Sequence, residues 1–291
     1  MLRLVIPKGS LERATMELLE AADLTVRRAS DVNYRGVIDD PRISQVRILR
    51  PQEIPRYVAA GLFDLGITGR DWIEETGSRV VSLGELSYSK NTSQPIRIVL
   101  AVAEDSAVRS VTDLPSGVRV STEYPELTRA FFHRHGIEPE IQISYGATEA
   151  KVPEIADAVV DLTETGGALR AAGLRITDTL LVSGTELIAN EASAADPPKR
   201  EAMGQLLTLL QGALEAREKV LVKLNVAAAD LGAIIHLLPS MKSPTVSQLF
   251  GEEGYAVEAV VQKSLINTLI PALKDAGATD ILELSLSKIV H

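Results

Sequence analysis

The chain has 291 residues, which sets an expectation of about two or three domains and a folded form that buries roughly 73% of the surface the unfolded chain exposes. It contains no Cys, which excludes disulfides, zinc–thiolate sites, iron–sulfur clusters and a thiol nucleophile. With 39 acidic against 30 basic residues the net charge is −9, and aromatic residues make up only 4%, so nucleic acid and anionic membranes are disfavoured as partners.

The first residues, Met1–Pro7, show no basic leader with a cleavage site, and no run of 18 apolar residues occurs anywhere; a cytoplasmic location is expected. Leu2–Ile6 reads as a buried parallel strand. Ser10 is placed to cap a helix whose apolar positions are Leu11, Ala14, Leu18, Leu19 and Ala22. Val46 and Ile48 mark a strand. Pro51, Ile54, Val58 and Gly61 mark a helix from first turn to stop. Phe63–Thr68 is strand-like and opens into Gly69-Arg70-Asp71 and a helix, and Val80–Leu83 is a further strand. This β-α-β-α succession indicates an α/β layer with a mostly parallel sheet.

A second unit starts near Ile96. Ile96–Ala103 and Val118–Ser121 read as strands, Pro125–His135 as a helix, Ile141 and Ile143 as a strand, and Val152–Ala156 as a short helix. Asp157–Leu162 is an apolar strand. Thr179–Ile188 reads as one long strand returning to the first unit, which makes two lobes with a cleft between them. After the Pro197–Lys219 helix the pattern changes. Strands at Val220–Val226, Tyr255–Gln262 and Asp280–Leu286, helices at Ala228–Leu237 and Leu265–Ala276, and a short element at Ser247–Phe250 outline a ferredoxin-like α+β unit. The domain reading is therefore lobe I from 1–95 and 179–218, lobe II from 96–178, and a third unit from 219–291.

The strongest chemical feature is Asp157–Leu169: an apolar strand, then Thr163-Glu164-Thr165-Gly166-Gly167, then a helix. Successive backbone N–H groups at such a bend can cradle a phosphate, and the glycines allow close approach. Asp161 and Glu164 suit ribose hydroxyls or a magnesium ion shared with a diphosphate. The same residues also make an ordinary capped turn. Pro7-Lys8-Gly9-Ser10 and Gly66–Asp71 follow strands in the same manner, with Lys8 and Arg70 as anion partners, and Ser121–Pro125 holds the equivalent place in the second lobe. Neither a P-loop nor a dinucleotide fingerprint is present. His133, His135, His236 and His291 fit solvated or structural positions.

These segments, with Leu49-Arg50-Pro51, Tyr124-Pro125, Leu238–Val246 and Gly277-Ala278, resemble the long form of the ATP phosphoribosyltransferase family along the whole chain. The resemblance implies a two-lobed catalytic core like type II periplasmic binding proteins, a C-terminal ferredoxin-like regulatory domain that binds L-histidine as inhibitor, and a homo-oligomer, dimer to hexamer. It implies that N1 of ATP displaces pyrophosphate from C1 of phosphoribosyl pyrophosphate, with Mg2+ as cofactor, in the first step of histidine biosynthesis. A neutral ring nitrogen needs no general base, which agrees with the lack of a catalytic His or Cys.

By position, the resemblance places phosphoribosyl pyrophosphate on Asp161, Thr163, Glu164, Thr165, Gly166 and Gly167. Asp157 contacts the substrate or supports the loop. Lys8, Arg50 and Arg70 are expected to face the pyrophosphate or the ATP triphosphate, Gly9 and Tyr124 are further substrate-binding positions, and Asp161 or Glu164 would touch the metal. Histidine is expected at Asn225, Met241, Ser243, Thr245 and Asp280. Two departures stand out: Ala168 replaces a usual Thr, and Asn225 stands where some relatives carry an acid. A rival reading from another class is a non-catalytic solute-binding module of the same two-lobed fold.

Overall fold

The computed structural model describes residues 1–30, 33–88, 96–239, 241, 243–251 and 253–291. Ser240 and Lys242 of the Leu238–Val246 motif, and the expected lobe boundary at residue 95, lie outside them. The described residues form two compact units, Met1–Glu20 with Leu24–Leu207 and Ala21–Asp23 with Thr208–His291.

Among the described residues, the first unit holds two sheets. The first runs Val26–Arg27, Arg35–Ile38, Ile43–Leu49, Leu2–Pro7, Leu65–Gly69, Thr185–Ala189, Val81–Leu86. Its three central strands are parallel, and antiparallel pairs flank them. Central parallel strands are covered on both faces, and Leu65–Gly69 is accordingly buried at every position. Helix Ile54–Ala59 lies so close to this strand that a Cβ on Gly66 would come within 2.8 Å of Val58 and 3.0 Å of Ile54.

The second sheet runs Leu174–Ser183, Ile96–Ala103, Ala158–Thr163, Arg119–Thr122, Glu140–Ile143. The last three strands are mutually parallel, and helix Pro125–Arg134 buries Thr128, Phe131 and Phe132 in this lobe. The expected strand Thr179–Ile188 is two strands: Leu174–Ser183 pairs with Ile96–Ala103, and Thr185–Ala189 enters the first sheet. The chain thus crosses between lobes at Gly184. The apolar stretches on either side of Ser183-Gly184-Thr185-Glu186 do not say which sheet each half joins.

Two local expectations are corrected. Ser10 does not precede the helix as its cap: it lies inside a 3-10 turn, Gly9–Leu11, that starts after Lys8, and the helix proper is Glu12–Ala21. Val152–Ala156 is a turn rather than a helix; the helical turn comes earlier, at Thr148–Lys151, and Pro153 has no N–H to continue it.

In the second unit the strands run Thr245–Gln248, Gly254–Gln262, Lys219–Ala227, Thr279–Ser285, all antiparallel. Helices Leu231–Leu237 and Ile266–Asp275 fall between them in the chain order β-α-β-β-α-β, which is the ferredoxin-like pattern. Lys219–Ala227 alternates half-buried with buried residues, and Val220, Val222, Leu224 and Val226 form the core with Val257, Val261, Leu269 and Leu273. Among the described residues, no helix is long and apolar enough to cross a membrane.

One buried charge anchors the first lobe. Asp64, 1% exposed, accepts from Arg3 Nε at 3.0 Å, Lys199 Nζ at 2.8 Å and Ser193 Oγ at 2.7 Å. Burial pushes its carboxyl up, but the donors from Arg3, Lys199 and Ser193 outweigh it and hold it well below the usual carboxylate range. A depressed pKa contributes stability that is fully present above the unfolded value, about 3.9, and is lost as pH falls toward the folded one. Asp64→Asn is expected to cost about 2–3 kcal/mol, below the range for a fully buried pair because Arg3 and Lys199 reach solvent. It should also flatten the loss of stability below pH 4. Urea melts at pH 7 and pH 3 check both effects; equal acid sensitivity of the variant would refute the assignment.

Candidate active site

The strand Ala158–Thr163 ends in the Thr163–Gly167 bend at the mouth of a cavity of about 370 Å3 between the two lobes. Thr163, Glu164, Thr165, Gly167 and Ala168 line one wall; Ser10, Pro51, Gly69 and Asp71 line the other. Gly166 has φ +77°, a conformation that favours glycine, and its N–H donates to Thr163 Oγ1 at 2.7 Å. The bend feeds the short helix Gly167–Ala171. Thr165 Oγ1 accepts from Gly167 N at 3.4 Å, and Arg170 Nη1 donates to Thr165 O at 3.1 Å. Arg170 is a cation at the loop that sequence reading missed, although it sits four residues past Gly166, one helical turn on.

Asp161 lies on the strand just before the bend. Burial pushes its carboxyl up to about 6; Glu149 and Glu123 add to the rise, while the Leu162 N–H and Lys151 oppose it. Among the described residues no cluster of three or more His, Cys, Asp or Glu side chains could hold a metal ion by itself. The carboxylates at this end of the strand are Asp161, within it, and Glu164, inside the bend and lining the cavity.

The remaining expected residues are placed elsewhere. Asp157 is at the far end of the strand, with Arg119 Nη2 donating to Oδ1 at 2.7 Å; that partner lowers its carboxyl, so it supports the strand. Lys8 Nζ stands 4.0 Å over the Tyr34 ring, and Gly9 N donates to Glu12 Oε2 at 3.3 Å; Ser10 and Leu11, not Lys8, reach the cavity. Arg50 is exposed, and Pro51 beside it lines the cavity. Arg70 is held by Glu74, Nε to Oε1 at 2.7 Å, and by Glu186 at 3.6 Å, and lines a separate cavity of about 340 Å3. His133 and His236 are engaged locally, with Glu138 and with Gly232 O.

Tyr124 serves a different purpose. Its hydroxyl donates to Asp71 Oδ2 at 3.0 Å, and Ser183 Oγ donates to Asp71 Oδ1 at 2.7 Å. Asp71 is on helix Arg70–Thr76 of the first lobe; Tyr124 and Ser183 belong to the second. Burial raises the Asp71 carboxyl against these donors, and burial with the nearby Asp71 charge raises the Tyr124 phenol. From the same helix, Trp72 stacks on Tyr124 with ring centroids 4.6 Å apart, and Glu75 accepts from Glu126 N at 3.1 Å and Leu127 N at 2.9 Å. One short helix therefore fixes the second lobe beside the cavity.

In the second unit, Asn225 Nδ2 donates to Asp280 Oδ2 at 3.0 Å, and Asp280 has φ +49°. Met241, Ser243 and Thr245 lie on or before the edge strand Thr245–Gln248, separated from Asn225 by the Gly254–Gln262 strand. The first pair is brought together; the other three are not brought to it, since Thr245 pairs with Glu258, which pairs with Lys223, and Met241 N donates to Val260 O, which is further along still.

Comparison with known proteins agrees along the length of the chain. The sequence model of the family described as "ATP phosphoribosyltransferase" matches residues 50–212, and that described as "HisG, C-terminal domain" matches residues 216–288. A protein of Pelotomaculum thermopropionicum described as "ATP phosphoribosyltransferase" is 47% identical over 291 residues, covering 99% of both chains. One of Solibacter usitatus with the same description is 44% identical over 290 residues, covering 100% of this chain and 99% of that one. Among solved structures, a chain of the "ATP phosphoribosyl transferase (HisG:HisZ) complex from Thermotoga maritima" is similar with a TM-score of 0.63 and 27% identity, covering 74% of this chain and 99% of that one.

Proposed function

The chain belongs to the ATP phosphoribosyltransferase family, pentosyltransferases that join ATP to phosphoribosyl pyrophosphate in the first step of histidine biosynthesis, and from that premise we propose which residues do the work. The 5-phosphate of phosphoribosyl pyrophosphate sits on the amides and hydroxyls of Thr163–Gly167, with the ribose hydroxyls toward Asp161. ATP enters from the wall formed by Ser10, Leu11 and Pro51. The observation that carries this reading is Gly166 at φ +77° beside the cavity between the lobes.

The reaction needs no base to deprotonate the adenine ring nitrogen. Asp161 orients the ribose, the loop fixes the phosphate, and the lobes bring the nitrogen in line with C1, where positioning supplies up to ~7–11 kcal/mol. Asp161 or Glu164 would hold a magnesium ion carried on the substrate phosphates, and the ion would supply charge neutralisation for the departing diphosphate. The two lobes form the catalytic core. Residues 219–291 bind L-histidine through Asn225, Asp280, Met241, Ser243 and Thr245, and the chain works in the cytoplasm as a homo-oligomer, dimer to hexamer. The Asn225–Asp280 hydrogen bond supports that placement.

Purified protein with ATP, phosphoribosyl pyrophosphate and Mg2+ is expected to release pyrophosphate and N1-(5-phosphoribosyl)-ATP. Chelating the metal should return the rate to background. L-histidine should inhibit the wild type and not Asp280→Ala. Substrate binding without product, or inhibition that survives Asp280→Ala, would overturn the corresponding assignment.

A further inference from the structure

Three neighbouring strands of the second lobe run parallel, and their register aligns one row of residues just past the last pairs between them, toward their carboxyl ends. Val160 pairs with Thr122 and Thr122 with Ile143, so the next residues, Asp161, Glu123 and Ser144, stand side by side. This is the end of an open α/β sheet at which ligands bind. Ser144 is buried, and its N–H donates to Thr122 O at 2.8 Å.

The chain then turns back through Thr148–Lys151 against the same strand ends. Lys151 Nζ donates to Ser144 Oγ at 2.6 Å, and Ser144 Oγ shares a hydrogen bond with Thr148 Oγ1 at 2.8 Å. The ammonium is thereby pinned to the row. Asp161, Glu123, Glu149 and Lys151 are all half-buried. Among the described residues no carboxylate lies within 4.0 Å of Lys151 Nζ, so this cation is aligned with three acids without being spent on an ion pair. The cations chosen from sequence are engaged or placed elsewhere: Lys8 on Tyr34, Arg70 between two glutamates, Arg50 in solvent.

We propose that Lys151 contacts the diphosphate of phosphoribosyl pyrophosphate. The inference rests on the reading of Thr163–Gly167 as the 5-phosphate loop. From Asp161 to Ser144 the row spans two strand spacings, about 10 Å, which leaves the ribose beside Asp161 and its diphosphate at the Ser144–Lys151 end. Asp161, Glu123 and Glu149 would repel an anion there. An ammonium with one N–H on Ser144 retains two donors for phosphate oxygens.

The test uses the full chain as Lys151→Met, Lys151→Arg and Gly166→Val, with phosphoribosyl pyrophosphate, inorganic pyrophosphate and ATP as probes in Mg2+. A charge-assisted hydrogen bond lost at Lys151→Met should raise the KM for phosphoribosyl pyrophosphate and the Kd of pyrophosphate about 10- to 100-fold. The KM for ATP should move less than about 2-fold, and Lys151→Arg should recover most of the loss. Unchanged pyrophosphate binding overturns the proposal, as does an equal rise in both KM values with a lowered Tm, which would mark a structural lysine. If Gly166→Val loses phosphoribosyl pyrophosphate and Lys151→Met does not, the lysine assignment fails and the loop stands. If Gly166→Val binds it normally, the loop reading itself fails.

Discussion

Gly166→Val is expected to reduce kcat/KM for phosphoribosyl pyrophosphate by about 1000-fold while the protein stays folded. A residue with a Cβ pays ~1–2 kcal/mol in the left-handed region, and a β-branched one more. Its Cβ would also stand 2.8 Å from Arg170 Nη1 and 3.3 Å from Ile176 Cδ1. Arg170 ends in solvent and can swing aside; Ile176 packs against the lobe's core and gives way less readily. The cheapest escape is for the bend to change its dihedrals, which breaks the Gly166–Thr163 bond and moves the amides off the phosphate. A shift of about 1 Å costs near 100-fold, and each lost charge-assisted bond adds ~1.5–3 kcal/mol. Stability should fall by only about 2 kcal/mol, since the loss is confined to one turn. Gly166→Ala should lie between the two. Steady-state kinetics beside a thermal melt separate the outcomes, and wild-type kinetics in Gly166→Val would remove the phosphate from this loop.

The bend could be read from sequence because its signal is local: an apolar strand, hydroxyls and paired glycines within a dozen residues. The ferredoxin-like unit was legible for the same reason, as its strand and helix periods alternate cleanly over short connections. Sheet membership was not. Thr179–Ile188 reads as one strand-length segment, and it is the pairing partners that divide it at Gly184, between the apolar stretches 180–182 and 187–188. Val26–Arg27 and Arg35–Ile38 are too short and too polar to stand out. The cations failed in a different way. A long basic side chain goes to whichever acid or ring is near in space, and Lys8 found Tyr34. Arg70 carries its partner in the sequence itself: Glu74 stands at i+4 on the same helix, a spacing that commits both charges. The net charge of −9 sets the remaining difficulty, because two polyanionic substrates must find positive potential in an acidic protein. In the proposed pose, backbone amides at the bend, Arg170 and a metal carried by the substrate would supply it locally.

The contact least visible in sequence joins Asp71 to partners 53 and 112 residues away, and its loss should have the second large effect. Removing the carboxylate in Asp71→Ala strands the buried Tyr124 hydroxyl, at about 1–3 kcal/mol, and takes the acceptor from Ser183 Oγ, which still accepts from the backbone N–H of residue 71 at 2.9 Å. Asp71→Asn keeps the shape and one acceptor and should cost about 1 kcal/mol. Burial disfavours the Asp71 charge, so a neutral isostere gives up less than the two hydrogen bonds suggest. Activity should respond differently from stability. Asp71 and Tyr124 touch no reacting atom in the proposed pose; they set the separation of the two cavity walls. Tyr124→Phe and Asp71→Ala should therefore lower kcat/KM for ATP and for phosphoribosyl pyrophosphate together, by about 10- to 100-fold, whereas Gly166→Val should act mainly on the sugar phosphate. In the double variant Asp71→Ala/Tyr124→Phe the losses should fall short of additive by at least about 1 kcal/mol, because both single changes break one bond. Strict additivity in that cycle, or a loss confined to one substrate, would show that the helix Arg70–Thr76 does not hold the lobes in register and that Tyr124 meets a ligand directly.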